Sequence, residues 1–367
     1  MHVIDRESLK SQATYAKELR SKLPPEAFQP SINKLWILLI NVVILILGWG
    51  IAGHLNQWNH AALWLYLPLA LVMGNSVVVL LFSSHDLMHS KTIQQPVLRQ
   101  TISLIGLTLL WMPPTLWKAV HNRVHHNNTN ALHDPDRNYL HSQPNNFGKW
   151  IQNLFAPSAD ANPFWIGFGM GYSWGVYAFR NIASALVFDG KANPFSVDPV
   201  KVSPKERKAI ALELGLMVVL HGSIIAYLSA SPINLILGYF LPIWLGYAGV
   251  IFYIYTNHLL CPMSDVNDPL YNSVSLRVPK IFDTLHFNFS YHTEHHLFPG
   301  LNSDYYPMVQ ALLIQHYPEQ FNLLDAGQAW RLMLQTPRHY KDANTFTNWN
   351  GQKNVPSPLS PSEKGTY

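Results

Sequence analysis

The sequence predicts an all-α integral membrane protein with four transmembrane helices in two hairpins. Charged residues make up 13% of the 367 and apolar residues 48%, against roughly 25% charged in an ordinary soluble domain. Four apolar runs, which hold one charged residue (Glu213) among them, are each long enough to cross a bilayer, which takes about 17–25 residues. Eighteen histidines stand against 21 Asp and Glu together, and they are clustered.

Residues 1–33 are polar and mixed in charge, and read as a cytoplasmic N-terminal segment rather than a secretory signal, whose apolar core would follow a short basic start. The first apolar run covers residues 35–52 and the second residues 61–82. The linker between them, from Gly53 to His60, holds no Lys or Arg. A third run, 209–230, and a fourth, 233–255, are joined by Ser231-Pro232, again without a cation. Backbone groups in hydrocarbon must be satisfied within their own segment, so such runs are helices. Lys10, Lys17, Arg20, Lys22 and Lys34 precede the first run, Lys91 and Arg99 follow the second, and Lys201, Lys205, Arg207 and Lys208 precede the third. The positive-inside rule then puts both chain ends in the cytoplasm and both short loops on the far side. Residues 101–117 are apolar but broken by Pro113-Pro114, and 164–188 carry Arg180; both read as interfacial or re-entrant helices. Residues 34–340 form the membrane domain, and 341–367, polar and rich in Pro and Ser, read as a disordered tail.

One cysteine, Cys261, excludes a disulfide framework, a Cys-rich zinc module and a built-in iron–sulfur domain. A net charge of +4 is too mild to imply nucleic acid.

Three histidine clusters carry the chemistry: His85-Asp86-Leu87-Met88-His89, His121-Asn122-Arg123-Val124-His125-His126 and His292-Thr293-Glu294-His295-His296. Residues three or four apart share a helix face. His85 with His89, His121 with His125, and His292 with His295 or His296 can each present imidazoles to a shared metal. A single H-x-x-x-H pair is usually a satisfied core feature. Three clusters on one side of a membrane are another matter, because crowded imidazoles gain nothing without a cation between them. The zinc-hydrolase pattern H-E-x-x-H is missing. Imidazole suits zinc, copper, iron and nickel alike. Eight or nine histidines suffice for two metals, and two redox-active irons that bind dioxygen fit best, although counting alone does not name the metal. His54, His60, His221, His316 and His339 read as structural, and Trp58, Trp64 and Tyr66 as an interfacial anchor.

These boxes resemble those of the integral-membrane fatty-acid desaturase and hydroxylase superfamily over residues 35–316. The segment from His292 to Pro299 is very like the H-x-x-H-H-L-F-P of acyl desaturases. Phe287-Asn288-Phe289-Ser290-Tyr291 is similar to the stretch before box three in sphingolipid desaturases and carotenoid ketolases. The resemblance implies a four-helix membrane stem, a cytoplasmic helical cap holding two irons and a tunnel for an acyl chain. It carries the ligand role onto His85, His89, His121, His125, His126, His292, His295 and His296. A ninth ligand is implied at His258, with His286 the competitor: the Asn expected four residues before it is Ile254, although Asn257 adjoins it. Asp86, Asp134, Asp136, Asn257, His286, Asn288 and Glu294 are candidates to orient the ligands. Departures narrow the branch: box three opens on His292 rather than the Gln of front-end desaturases, and no His-Pro-Gly-Gly cytochrome b5 motif occurs.

The activity implied is desaturation of a fatty acyl lipid or acyl thioester, with O2 as co-substrate and two electrons from a ferredoxin or cytochrome b5 type donor. The alternatives are a di-iron hydroxylase or ketolase on the same scaffold, acting on an acyl chain, alkane or other lipid, and, more remotely, a non-catalytic membrane metal-binding protein.

Overall fold

The computed structural model describes residues 9–136, 150, 153–188, 200–258 and 260–360. The last part of the expected tail, 361–367, lies outside the described residues. Helices dominate: α1 (Gln12–Arg20), α2 (Asn33–Ala52), α3 (Leu67–His89), α4 (Pro96–Thr108), α5 (Pro163–Ala183), α6 (Pro204–Leu228) and α7 (Leu241–His258) come first in the chain. Shorter helices α8 (Lys280–Leu285), α9 (His292–Leu297), α10 (Tyr306–His316) and α11 (Ala326–Gln335) follow.

Four helical stretches are long and apolar enough to cross a membrane: Asn33–Gln57, His60–His89, Pro204–Leu228 and Pro232–His258. Their outward faces are apolar. Trp36, Ile40, Val43 and Leu47 recur along the exposed side of α2, and Leu212, Leu216 and Val219 along that of α6. Soluble proteins rarely leave such stripes in water, and hydrocarbon is their natural solvent. The sequence sets the ends of these helices by its polar residues. At the start of α6 Ser203 accepts from the Glu206 amide while the Glu206 carboxylate accepts from the Ser203 amide at 2.7 Å, and Pro204 takes the first helical position, where no donor is needed.

The centre of the bundle is α3, which packs against both α2 and α7. A Cβ added at Gly246 would come within 3.0 Å of the Gly74 carbonyl, so two facing glycines let the backbones of α3 and α7 approach closely. Such small-residue contacts replace the hydrophobic driving force that helices lack inside lipid. Lys34, at the start of α2, lies 3.9 Å from Asp86 near the end of α3. At the opposite end of α2, Asn234 donates to the Gly53 carbonyl at 2.8 Å and accepts from the Asn56 amide at 2.8 Å.

The remaining elements gather around the C-terminal ends of α3 and α7. Strands β1 (Ser275–Arg277) and β2 (Leu323–Asp325) pair in parallel, Ser275 opposite Leu323. The N-terminal helix packs Tyr15 and Leu19 onto a second core with Leu297, Phe298 and Tyr306. Residues 101–108, 114–117 and 164–188 are helical, with a non-helical break at 109–113, and lie outside the four long apolar stretches.

The expectation of a disordered tail is corrected. Strands β3 (His339–Asp342), β4 (Thr345–Thr347) and β5 (Asn354–Pro356) form an antiparallel sheet in the order β3-β4-β5. Composition suggested disorder, but three apolar anchors decide otherwise: Tyr340, Phe346 and Leu359 are buried in the main core. Tyr340 donates to the Cys261 carbonyl at 2.7 Å and Ser357 to the Leu260 carbonyl at 2.6 Å.

Candidate metal centre

Nine histidines from four stretches of chain converge in two adjacent groups. The first holds His85, His89, His121, His126 and His295, and the second His125, His258, His292 and His296; within each group one ligand atom per ring lies within 4.8 Å of the others. Box one ends α3, and His258 ends α7. Box two follows Pro113-Pro114 on a wide π-helical turn, Lys118–Val124, that tightens to a 3-10 turn at His125–Asn127. Box three is the short helix α9.

His121 and His125 divide between these two groups, and they also come together in a third set with Asp136, again with ligand atoms within 4.8 Å of one another. Successive helical residues point about 100° apart, so a His-His doublet cannot aim both rings at one point. His125-His126 and His295-His296 each send one ring to either group. The doublets are the hinge of a paired centre. The i, i+4 pairs His85 with His89 and His292 with His296 do stay together.

Hydrogen bonds fix the tautomers. Asn272 offers His258 Nδ1 a backbone carbonyl at 2.8 Å, which can only accept, so Nδ1 carries the proton and Nε2 a lone pair. His125 Nδ1 donates to both Asp134 oxygens at 3.0 Å, and His121 Nδ1 to Asp136 at 3.2 Å. His85 Nδ1 lies 3.5 Å from Asp86. The freed Nε2 atoms face one another: 3.1 Å for His85 and His121, 3.2 Å for His121 and His126, 3.2 Å for His126 and His295, and 2.8 Å for His258 and His292. Where both atoms carry lone pairs, as in His85 and His121, such an approach is repulsive unless a cation lies between. Metal–nitrogen bonds of about 2.1 Å set neighbouring donor atoms roughly 3 Å apart, which is the spacing found. Moreover His89 Nε2 and His296 Nε2 are buried without a hydrogen-bond partner. Bound metal therefore fits these residues better than an apo core does.

Burial, reinforced by neighbouring rings, holds His121, His126, His292, His295 and His296 well below the usual imidazole pKa, which keeps them in the neutral, metal-binding form. At His125 burial acts the same way, but the charge and hydrogen bond of Asp134 outweigh it and raise the pKa.

The candidate orienting residues divide. Asp134 and Asp136 each take a histidine, and Asp134 is held in turn by the Asn130 and Asp136 amides at 2.7 and 2.9 Å. Asp86 links His85 to Lys34. Glu294, by contrast, turns away from the rings and accepts from Ser275 and, at 2.9 Å, from Gln310. Asn288 donates to the Ser303 carbonyl at 2.8 Å. Asn257 is buried on the wall of the central cavity. His286 lies outside both groups: Tyr253 holds its Nδ1 at 2.9 Å and Asn75 its Nε2 at 3.0 Å. His54, His60, His221, His316 and His339 also lie outside them. Three partners escaped the sequence reading: Tyr306 at His295 Nδ1 (3.0 Å), Thr129 at His296 Nδ1 (3.2 Å) and the Asn272 carbonyl. No spacing rule marks them. Arg180, anomalous in its apolar run, gave a usable signal. It donates to the Pro135 carbonyl at 2.7 Å beside Tyr177, which donates to Asp136 at 2.7 Å, so α5 braces the carboxylates.

A cavity runs from His121, His125, His258 and His292 outward between α5 and α7, past Trp174, Val176, Ile251 and Ile254. Its inner end is lined by imidazoles and its length by apolar side chains.

A helical bundle of membrane-spanning length, with paired histidine groups at one end and an apolar cavity leading to them, defines a class of membrane-bound metal-dependent protein. The fatty acid desaturase family model matches residues 61–325, which takes in all three boxes, and the chain belongs to that family. A sn-1 acyl-lipid omega-3 desaturase (ferredoxin) of Nostoc sp. (strain 36) is 27% identical over 124 residues, and the match covers 33% of each chain.

Proposed function

We propose that the chain is a membrane fatty acyl desaturase that introduces a C=C bond using O2 and two external electrons. The observation that carries this reading is the junction of an apolar cavity with two groups of clustered imidazoles in a chain of this family. His85, His89, His121, His126 and His295 would hold one iron and His125, His258, His292 and His296 the other, with His258 rather than His286 as the ninth ligand. Two irons bound there supply the oxidant that an unactivated C–H bond requires, which no side chain can. O2 takes four electrons to become two waters, two from the substrate's adjacent C–H bonds and two from the donor.

The chain's own residues do the rest. Asp134, Asp136 and Asp86 fix ring orientation and raise the basicity of the imidazoles they hold. Trp174, Val176, Ile251 and Ile254 line the path of an acyl chain, exclude water and bring chosen carbons against the histidines. In a bilayer the four long helices form two hairpins. The contacts of Lys34 with Asp86 and of Asn56 with Asn234, at opposite ends of α2, support this arrangement. The cation-free loops orient both termini and the metal centre toward the cytoplasm, as a helical cap. Residues 34–340 make up this membrane domain. The donor is of ferredoxin or cytochrome b5 type, the former favoured by the relative's name.

Mass spectrometry of lipids from an expressing host tests the assignment. A product lighter than its precursor by two hydrogens is expected. A product heavier by one oxygen atom makes the protein a hydroxylase or ketolase, and no product at all overturns catalysis.

A further inference from the structure

The histidine array has a second approach, whose lining shares no residue with that of the apolar cavity. A cleft between α1 and the turn after box three is lined by Arg20, Phe28, His89, Lys91 and Phe298, among others. His89 and His126, both of the first group, are the two rings of the nine that keep partial exposure; the second group is wholly buried. His89 is absent from the wall of the apolar cavity, which meets His85, His121, His125, His258 and His292 instead. One approach is suited to hydrocarbon, and the other ends on the edge of a single imidazole.

The second approach is basic. Arg20 and Lys91 are exposed on its wall, and Lys17 and Lys22 are exposed beside it. No carboxylate is among the described residues that line it. Glu18, the acidic residue of α1, is engaged by Lys10 and Tyr317, and Glu26 stands on the next turn without lining the cleft. Arg20 is held in place by Phe28, its guanidinium 3.9 Å above the ring.

We propose that this cleft is where the electron donor docks: an acidic one-electron carrier protein that seats against Arg20 and Lys91 and passes its electron through His89. The proposal rests on the desaturase reading, since that reaction consumes two external electrons. A one-electron carrier docks twice per turnover. On each docking it is oxidised by one electron and the metal centre is reduced by one. The two protons needed to complete two waters come from solvent. Opposite charge steers such a partner and sets its on-rate, so binding weakens as salt rises.

The test uses the full chain, loaded with iron, in discs of neutral phosphatidylcholine, with an acidic two-iron, two-sulfur ferredoxin as probe. Ferredoxin binding is compared for the native protein, for Arg20→Glu with Lys91→Glu, and for Lys205→Glu with Lys208→Glu on the other basic surface. The first pair is expected to weaken binding about tenfold and to remove most of its salt dependence, at native iron content. The second pair is expected to bind as the native protein does. Arg20→Gln with Lys91→Gln, a milder change, is expected to fall between. Unchanged binding in the Arg20 and Lys91 variants overturns the proposal, as does loss confined to the Lys205 and Lys208 variant. Reduced affinity for anionic vesicles with intact ferredoxin binding also overturns it, because the patch is then a headgroup site. A native protein that binds ferredoxin but forms no product when reduced by dithionite contradicts the desaturase reading instead.

Discussion

His125 and Asp134 are held face to face, with both carboxylate oxygens 3.0 Å from Nδ1 and the carboxylate itself fully buried. The pair fixes which nitrogen of His125 points into the second histidine group. An oriented and polarised ligand binds metal more tightly than a free one, and loss of such a partner typically costs 10–100-fold in affinity, roughly speaking. Asp134→Asn is therefore expected to lower metal affinity by about that factor while leaving the four long helices formed. Competition with a calibrated chelator measures it, and an affinity equal to the native value contradicts the role.

The ninth position separates two histidines that the sequence leaves as competitors. His258→Ala removes one of four rings from the second group and is expected to release the metal held there. His286→Ala breaks bonds to Tyr253 and Asn75 only, and is expected to keep full metal content with reduced thermal stability. His60→Ala, at an exposed position, is expected to change neither, whereas His125→Ala abolishes activity. Metal analysis of the variants decides. Equal losses at His258 and His60 count against the two groups.

The apolar cavity predicts a change of substrate range without a change of metal. Ile254→Trp fills the passage between α5 and α7 and is expected to retain both metals and shift products toward shorter chains, or to stop turnover. Product profiles from a mixed-lipid host measure this. An unaltered profile means the acyl chain lies elsewhere.

The C-terminal sheet predicts a stability effect. Tyr340 bonds the Cys261 carbonyl at 2.7 Å and receives the Asn130 amide at 3.3 Å, and Asn130 in turn secures Asp134 through its backbone. Tyr340→Phe removes these bonds while the Asn130 side-chain amide still reaches the Cys261 and Pro262 carbonyls at 3.1 and 2.7 Å, so the cost is that of an ordinary hydrogen bond, about 0.5–1.5 kcal/mol. A lower unfolding midpoint in detergent is expected, and an unchanged midpoint would show the sheet to be a passive appendage.

What could be read from the chain divides along physical lines. The four long helices were legible because hydrocarbon imposes one simple demand, an apolar run of sufficient length with few or no charges. The histidine clusters were legible because no bland role needs so many imidazoles. Their division was not: periodicity put His121 with His125, which do come together with Asp136, but it did not show that the two rings also enter different histidine groups, and the π-helical turn at Lys118–Val124 has no mark in composition. Thr129, Tyr306 and the Asn272 carbonyl reach the rings through tertiary contacts. Disorder was misread in the tail because its polar average hides Phe346 and Leu359, and a few buried anchors outweigh a composition.

The central claim is that nine histidines hold a pair of irons, and the metal content of the purified protein tests it most directly. Inductively coupled plasma mass spectrometry is expected to find about two irons per chain, with zinc near background, since oxygen-activating redox chemistry gives the second group a purpose in a chain of this family. One zinc per chain and no iron would contradict the account.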